Sequence, residues 1–572
     1  LTVRGGTPLT LRFRPNPQTD GAFETPDGAA ISVPAPDWDR ALELLKKINA
    51  LRDSSGRRIS SRMVEDGFEP WWYAQDRLLR FLLVPLTQIF PLLEAALGVE
   101  SIRVTGAPPD LARVLAAIAG KSGFPSLPSP AASRSLKGYV GDGGMLAVTL
   151  ASLAAFRLAR RDTVFFIVDH VSPGLRHDFR FAPLYREFDR LGFRYAEYAH
   201  TLLPRQALGN FVRRRRPVFF LESSDVWARW TGQRITAPVV SNPFEKAAPA
   251  SDPRNGPPAA NGLEDRALWA LVTTVLESCA LSIARQRILK RGLQFQRAQR
   301  AVIFDDNRHN HELVAACLSL GIPVLGFQHG VFNKFHAGLM AFGFSGGRPH
   351  AFDRYGVWSD LFRERLLRDS TLYGPDRVFV SGPVRPPEET STRQTGRHPA
   401  DGATRSTKGI RVLVVSEPLA RKQEVAPFLR ALLRDPQFEL CLKLRPGESD
   451  RSLKEYGLPA ERVRLLQTGT VYEALEQVDV AVGTYSTVLY EAVLAMVPIV
   501  WMKTSRAYGC ELVEEHLAEA ATAPEELPAA IRRAVAGQDA ELRKRRELVW
   551  GKDIQNGSKC LVEELKRLGG RR

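Results

Sequence analysis

The chain has 572 residues, of which 44% are hydrophobic and 25% charged, a composition that gives room for two or three domains and excludes a fibrous or disordered protein. Its 79 basic side chains against 63 acidic ones give a formal charge of +16, which favours an anionic partner: nucleic acid, an anionic membrane face or a phosphorylated substrate. Cys279, Cys317, Cys441, Cys510 and Cys560 show no Cys-x-x-Cys or Cys/His ligand spacing, so no structural zinc is expected and a reducing compartment, by default the cytoplasm, is.

The sequence opens at Leu1 without a basic segment followed by an apolar one, and no secretory signal is expected. Residues 1–135 form a first region, rich in Pro and Gly, whose role the residues do not reveal; a helix is expected near 41–51 and a strand at 101–105. Asp37-Trp38-Asp39 has the spacing of a metal-binding Asp-x-Asp pattern, but it follows Pro34 and Pro36 and opens a helix, where an acidic residue serves as a cap, so no metal is assigned. Gly120-Lys121-Ser122-Gly123 lacks the first glycine of a phosphate loop and a strand before it. Residues 78–99 are rich in Leu and Phe but carry Arg80, Gln88 and Glu94 and are broken by Pro85 and Pro91, which argues against a membrane span. Residues 145–156 are too short to span. Followed by Arg157, Arg160 and Arg161, they read as a buried helix with a solvated basic end, favoured here, or as a helix lying on a membrane surface.

From about residue 136 to 385 helices alternate with apolar strands, expected at 164–169, 194–197, 217–221, 239–241, 301–305 and 323–328, and this alternation implies a parallel sheet covered on both faces. Ligands in such sheets collect at the carboxyl ends of the strands. Asp169 closes one strand, Asp305 and Asp306 another, and Gln328-His329-Gly330 a third. An imidazole there suits a general base or a phosphate ligand, against the alternative of a histidine hydrogen-bonded within a loop. A Pro/Ala/Asn/Gly-rich loop at 242–262 precedes a long helical run over 264–299, and the basic run 213–216 reads as a solvated helix end.

Residues 386–408, almost without apolar side chains, read as a linker, and 409–538 as a second α/β domain. Strands are expected at 410–415, 438–444, 463–466 and 478–482, with helices at 424–433 and 472–477. Gly483-Thr484-Tyr485-Ser486-Thr487 then hands a strand to a helix, whose first free N–H groups suit a phosphate, with Ser486 and Thr487 adding hydroxyls and Glu491 placed for a ribose or sugar hydroxyl. The competing reading is that Ser486 or Thr487 only caps the helix. Residues 539–572 are helical and basic, and are expected to cross back over the first domain.

Three segments in this order, Gln328-His329-Gly330, Lys443-Leu444-Arg445-Pro446 and Gly483 through Glu491, resemble bacterial surface-polysaccharide glycosyltransferases of the GT-B architecture. The likeness is to capsule and lipopolysaccharide Kdo-transferase-like proteins and, more distantly, to CDP-glycerol glycerophosphotransferases; it covers about residues 301–502. The resemblance implies an α/β fold of two Rossmann-like domains whose parallel sheets face a central cleft. It implies a nucleotide-sugar donor held by the second domain at Lys443, Arg445, Gly483, Ser486, Thr487 and Glu491, with no metal and no other cofactor. His329 would be the base, with Asp305 and Asp306 behind it, and Gln328, Gly330 and Asp169 would line the acceptor side. The acceptor would be a glycan or lipid-linked molecule at the cytoplasmic face of the inner membrane. Such families usually carry His-Pro where this chain has Arg445-Pro446; arginine keeps a phosphate donor but cannot serve as an acid near neutral pH. Glycerophosphate transfer, nucleotide-sugar 2-epimerisation and a non-catalytic envelope-assembly role stand as alternatives. A nucleic-acid-binding protein is disfavoured by dispersed basic residues and the lack of a recognition signature.

Overall fold

The computed structural model describes residues 9–16, 19–24, 36–95, 102–105, 110–114, 136–168, 177–200, 214, 216–230, 261–304, 310–344, 351–384, 409–417, 420, 422–444, 451–466, 469–504, 509–537, 539–552, 554 and 556–569. The expected strand at 239–241, the glycine-rich segment 120–123 and the linker 386–408 lie outside them.

Strands β1 (Leu9–Asn16), β2 (Thr19–Glu24) and β3 (Ile102–Thr105) form a small sheet in the order β2-β1-β3. Helix α1 (Trp38–Ala50) is capped by Asp37, which accepts the backbone N–H of Arg40 at 2.8 Å, while Asp39 pairs with Lys334 at 3.1 Å. Residues 75–95 are helical, with a π-helical stretch at Leu78–Leu83 and Pro91 inside Val84–Ala95. Leu78, Leu79, Leu82, Leu83, Val84, Leu86 and Ile89 are all buried in the protein core.

The first large sheet has seven parallel strands in the order β10-β9-β8-β7-β4-β5-β6. Helix α2 (Leu136–Leu158) leads into β4 (Thr163–Val168), followed by β5 (Tyr195–His200) and β6 (Val218–Phe220). Helix α3 (Asn261–Gln296) then leads into β7 (Arg300–Phe304), β8 (Val324–Phe327), β9 (Arg354–Val357), helix α4 (Asp360–Asp369) and β10 (Val378–Val380). The second sheet has six parallel strands in the order β13-β12-β11-β14-β15-β16. Its elements are β11 (Ile410–Val415), β12 (Phe438–Lys443), β13 (Val463–Leu466), β14 (Val480–Gly483), helix α5 (Thr487–Leu494), β15 (Ile499–Met502) and β16 (Ala518–Ala521). Helices α6 (Asp539–Trp550) and α7 (Gly557–Gly569) follow. The chain reverses its direction of travel across each sheet once, between β4 and β7 in the first and between β11 and β14 in the second, and the crevice at such a reversal is where this class of sheet takes ligands. These are two parallel Rossmann-like sheets, the architecture expected from the alternation of elements.

Two features differ from the sequence-based picture. Within the run 213–216, Arg214 is not at a solvated helix end: it is buried and pairs at 2.5 Å with Glu197, itself buried in β5. A carboxylate taken out of water inside a sheet needs a cation, and Arg214 supplies it, with Tyr185 donating to the same group at 2.5 Å. Helix α3 is the one described helix long and apolar enough to cross a membrane, and most of it is buried inside the fold.

The last helix belongs structurally to the first domain. The Gly557 N–H donates to the Pro383 carbonyl at 3.0 Å and the Ser558 hydroxyl to the Val384 carbonyl at 2.7 Å. Gly557 is packed so closely on the carbonyls of Gly382 and Pro383 that no β-carbon fits there. Leu561, Val562 and Leu565 are buried, and Glu564 pairs with Arg354 of β9 at 2.8 Å.

Candidate active site

In the second domain the site is built around the reversal between β11 and β14. β14 ends at Gly483, and Thr484, Tyr485 and Ser486 make the turn into α5. Ser486 is the cap: its hydroxyl accepts the N–H of Val488 at 3.2 Å. The three backbone N–H groups of the turn converge on one carboxylate, Glu417, two residues beyond the end of β11. Thr484 and Ser486 donate to it at 3.0 Å each and Tyr485 at 3.1 and 3.2 Å, while the Thr484 hydroxyl completes the set. Glu417 is buried, and burial raises its pKa above the ordinary carboxylate value, which these hydrogen bonds only partly offset. Gly483 is required here for space, because a β-carbon at that position would lie 2.7 Å from Glu417 Oε1. The nest of N–H groups at this turn therefore already holds an anion, and it is the chain's own.

Beside this nest, Lys443 ends β12, the strand next to β11. The Lys443 side chain is buried and its ammonium donates to the Gly469 carbonyl at 2.9 Å; desolvation lowers its proton affinity. Thr487, the first residue of α5, and Glu491, one turn further on, are half-buried.

In the first domain Gln328, His329 and Gly330 follow β8. Gln328 is buried and staples the turn: its amide donates to the Gly330 carbonyl at 3.0 Å and accepts the Trp358 N–H at 3.0 Å. The His329 ring stands edge-on to Phe304 at the end of β7, with centroids 4.8 Å apart. His200 at the end of β5 and Glu222 after β6 form an imidazole–carboxylate pair, Nδ1 to Oε1 at 2.6 Å.

The two turns meet. The Tyr485 hydroxyl donates to the Val331 carbonyl at 3.1 Å, and a β-carbon at Gly330 would be 3.8 Å from Thr487 Oγ1, an ordinary contact. Alongside, Arg365 of α4 donates to the Phe332 carbonyl at 3.0 Å and holds both oxygens of Glu515 at 2.6 and 2.7 Å, and Phe362 packs on Tyr490 with ring centroids 5.5 Å apart. The structure thus brings Gln328, His329 and Gly330 to the same place as Gly483, Ser486 and Thr487, with Lys443 and Glu491 in the same domain as the second group. Asp169, Asp305, Asp306 and Arg445 lie outside the described residues. No cluster of His, Cys, Asp or Glu suited to a metal occurs among the described residues. Sequence reasoning missed Glu417, Tyr485 and the His200–Glu222 pair. Glu417 had one signal, an acidic residue directly after an apolar strand in Ser416-Glu417-Pro418.

No protein-family model matches this sequence, and none of the curated proteins does. Among solved structures it is similar to the calicheamicin glycosyltransferase CalG4, with 14% identity and a TM-score of 0.42 over 72% of this chain and 99% of that one. It is similar to MurG of Acinetobacter baumannii, with 11% identity and a TM-score of 0.40 over 71% and 99% of the two chains. It is also similar to the UDP-GlcNAc 2-epimerase of Neisseria meningitidis bound to UDP-GlcNAc, with 9% identity and a TM-score of 0.40 over 71% and 100%. From its own strand order and the meeting of its two turns, the chain has a GT-B-like fold: two parallel Rossmann-like sheets of seven and six strands.

Proposed function

We propose that the protein is a glycosyltransferase that moves a sugar from a nucleotide-activated donor to a cell-surface glycan or a lipid-linked acceptor. The observation that supports this reading best is the meeting of the His329–Gly330 turn with the Tyr485–Thr487 turn at the carboxyl edges of the two sheets. On this reading the acceptor hydroxyl attacks the sugar carbon as its proton passes to His329, and the bond from that carbon to the donor phosphate breaks. The negative charge gathering on the leaving phosphate is stabilised by Lys443, by Arg445 and by the start of α5 at Thr487. Because Glu417 takes the N–H groups of Thr484, Tyr485 and Ser486, the phosphate lies toward Thr487 and Lys443 instead of in the nest itself.

A thermal-shift panel of CMP-, UDP-, GDP- and CDP-linked donors, followed by product analysis, tests the reading. Stabilisation by one nucleotide class and transfer to an acceptor support it. A panel with no stabilising donor removes it, and a product epimerised at C2 or carrying glycerophosphate reassigns the reaction.

A further inference from the structure

From Met145 to Phe156 helix α2 is apolar but for Thr149 and Ser152, and a helix stretch of that kind is ordinarily buried on all sides. One side of it is open. Met145, Leu146, Ser152 and Phe156 face inward, whereas Leu150 is 51% and Leu158 84% exposed, with Ala147, Ala151 and Ala154 exposed on the same arc. No acidic residue occurs in the whole stretch 143–161.

The open face continues onto the end of α3. Arg157 donates to the Phe295 carbonyl at 3.3 Å, with its guanidinium 6.0 Å from that ring's centroid, and Gln296 donates to the Arg161 carbonyl at 3.3 Å. Phe295 itself is 50% exposed. Around these side chains stand Arg157, Arg160, Arg161, Arg291 and Arg297. None of them forms an ion pair with another described residue, and Asp162, next in the chain, is engaged by Arg194 at 3.8 Å and Arg300 at 3.6 Å.

We propose that this face binds an anionic lipid bilayer, with Leu150, Leu158 and Phe295 entering the headgroup region and the arginines meeting lipid phosphates. Exposed large apolar groups beside arginines that form no ion pair with a described residue, on an arc without a carboxylate, are the chemistry of a surface lying in a membrane interface. Nucleic acid would use the arginines but has no use for an alanine and leucine arc. The last turn of α2 feeds the amino end of β4 and that of α3 the amino end of β7, so Leu158, Phe295 and the arginines stand at the amino edge of the first sheet, away from the carboxyl edge where the two domains meet. The proposal does not depend on which reaction the cleft carries out.

The test is flotation of the full chain with phosphatidylcholine vesicles and with vesicles containing phosphatidylglycerol. The protein should float with the anionic vesicles only and be released by salt. Arg160→Ala, Arg161→Ala and Arg297→Ala should each lower partitioning roughly fivefold, and Leu158→Glu with Phe295→Glu should abolish it. Leu158, Arg160, Phe295 and Arg297 are exposed and Arg161 is half-buried, and unchanged melting temperatures separate lost binding from misfolding. Equal flotation on both vesicle types, no flotation at all, or variants that float like the wild type would overturn the proposal. So would a dimer in sedimentation analysis that Leu158→Glu makes monomeric, which would assign the face to a second copy. Nucleic-acid binding that needs the arginines but not Leu158 and Phe295 would count against it in the same way.

Discussion

Tyr485 donates its hydroxyl to the backbone carbonyl of Val331 at 3.1 Å, tying the turn that opens α5 to the loop that follows β8. This bond sets the spacing of the two halves of the candidate site. Tyr485→Phe keeps the ring and removes only the bond, and it should lower the unfolding free energy by about 1 kcal/mol. Urea denaturation followed by tryptophan fluorescence measures this, and an unchanged midpoint and slope would mean that the bond is not formed in solution.

Glu417 makes stability depend on pH in a specific direction. A carboxyl whose pKa is raised on folding contributes most below its unfolded value, about 4.3, and that contribution is lost as pH rises through the raised folded value. Glu417→Gln cannot titrate. The variant should therefore gain on the wild type as pH rises from about 4.3 toward neutral, read as the difference between their unfolding free energies. Glu312, also raised by burial, titrates in both proteins and cancels. Parallel pH profiles would show that Glu417 is not held as described.

Gly483 and Glu417 are coupled through space. A methyl at Gly483 would sit 2.7 Å from Glu417 Oε1 and 3.3 Å from Leu489, so Gly483→Ala should cost about 1 to 3 kcal/mol. Removing the carboxylate relieves the clash. Gly483→Ala placed on a Glu417→Ala background should then cost clearly less than on the wild type, and strict additivity in the double-mutant cycle would refute the coupling.

If His329 is the base, His329→Ala should lower turnover by roughly 10² to 10⁴ while leaving donor affinity nearly unchanged, and the acidic limb of the rate profile should vanish. Loss of donor binding at full turnover would make His329 a phosphate ligand. The base would then be sought at Asp305, Asp306 or Asp169, or at the His200–Glu222 pair.

The strands that were easiest to read are those whose residues are buried on both faces, since a covered parallel sheet demands unbroken apolar runs such as those in Thr163–Val168 and Val480–Gly483. β9 (Arg354–Val357) was missed because Arg and Gly interrupt it, and β16 (Ala518–Ala521) because Ala-Glu-Ala-Ala favours a helix and becomes a strand only by pairing with β15 at the sheet edge. The turns at Gln328–Gly330 and Gly483–Thr487 were legible because glycine and polar side chains follow apolar strands there. That they touch was not, and neither was Glu417, because a carboxylate that fills a nest formed almost 70 residues later leaves no local pattern.

The packing of α7 onto β9 and the Pro383–Val384 carbonyls sets the order of assembly. The first domain waits for a helix that the ribosome makes only after the entire second domain, so the N-terminal half leaves the tunnel with part of its sheet uncovered. A nonsense codon just before Gly557 would therefore do its damage at a distance in sequence: protease sensitivity should appear first around Arg354 and Pro383, in a domain whose own codons are all intact.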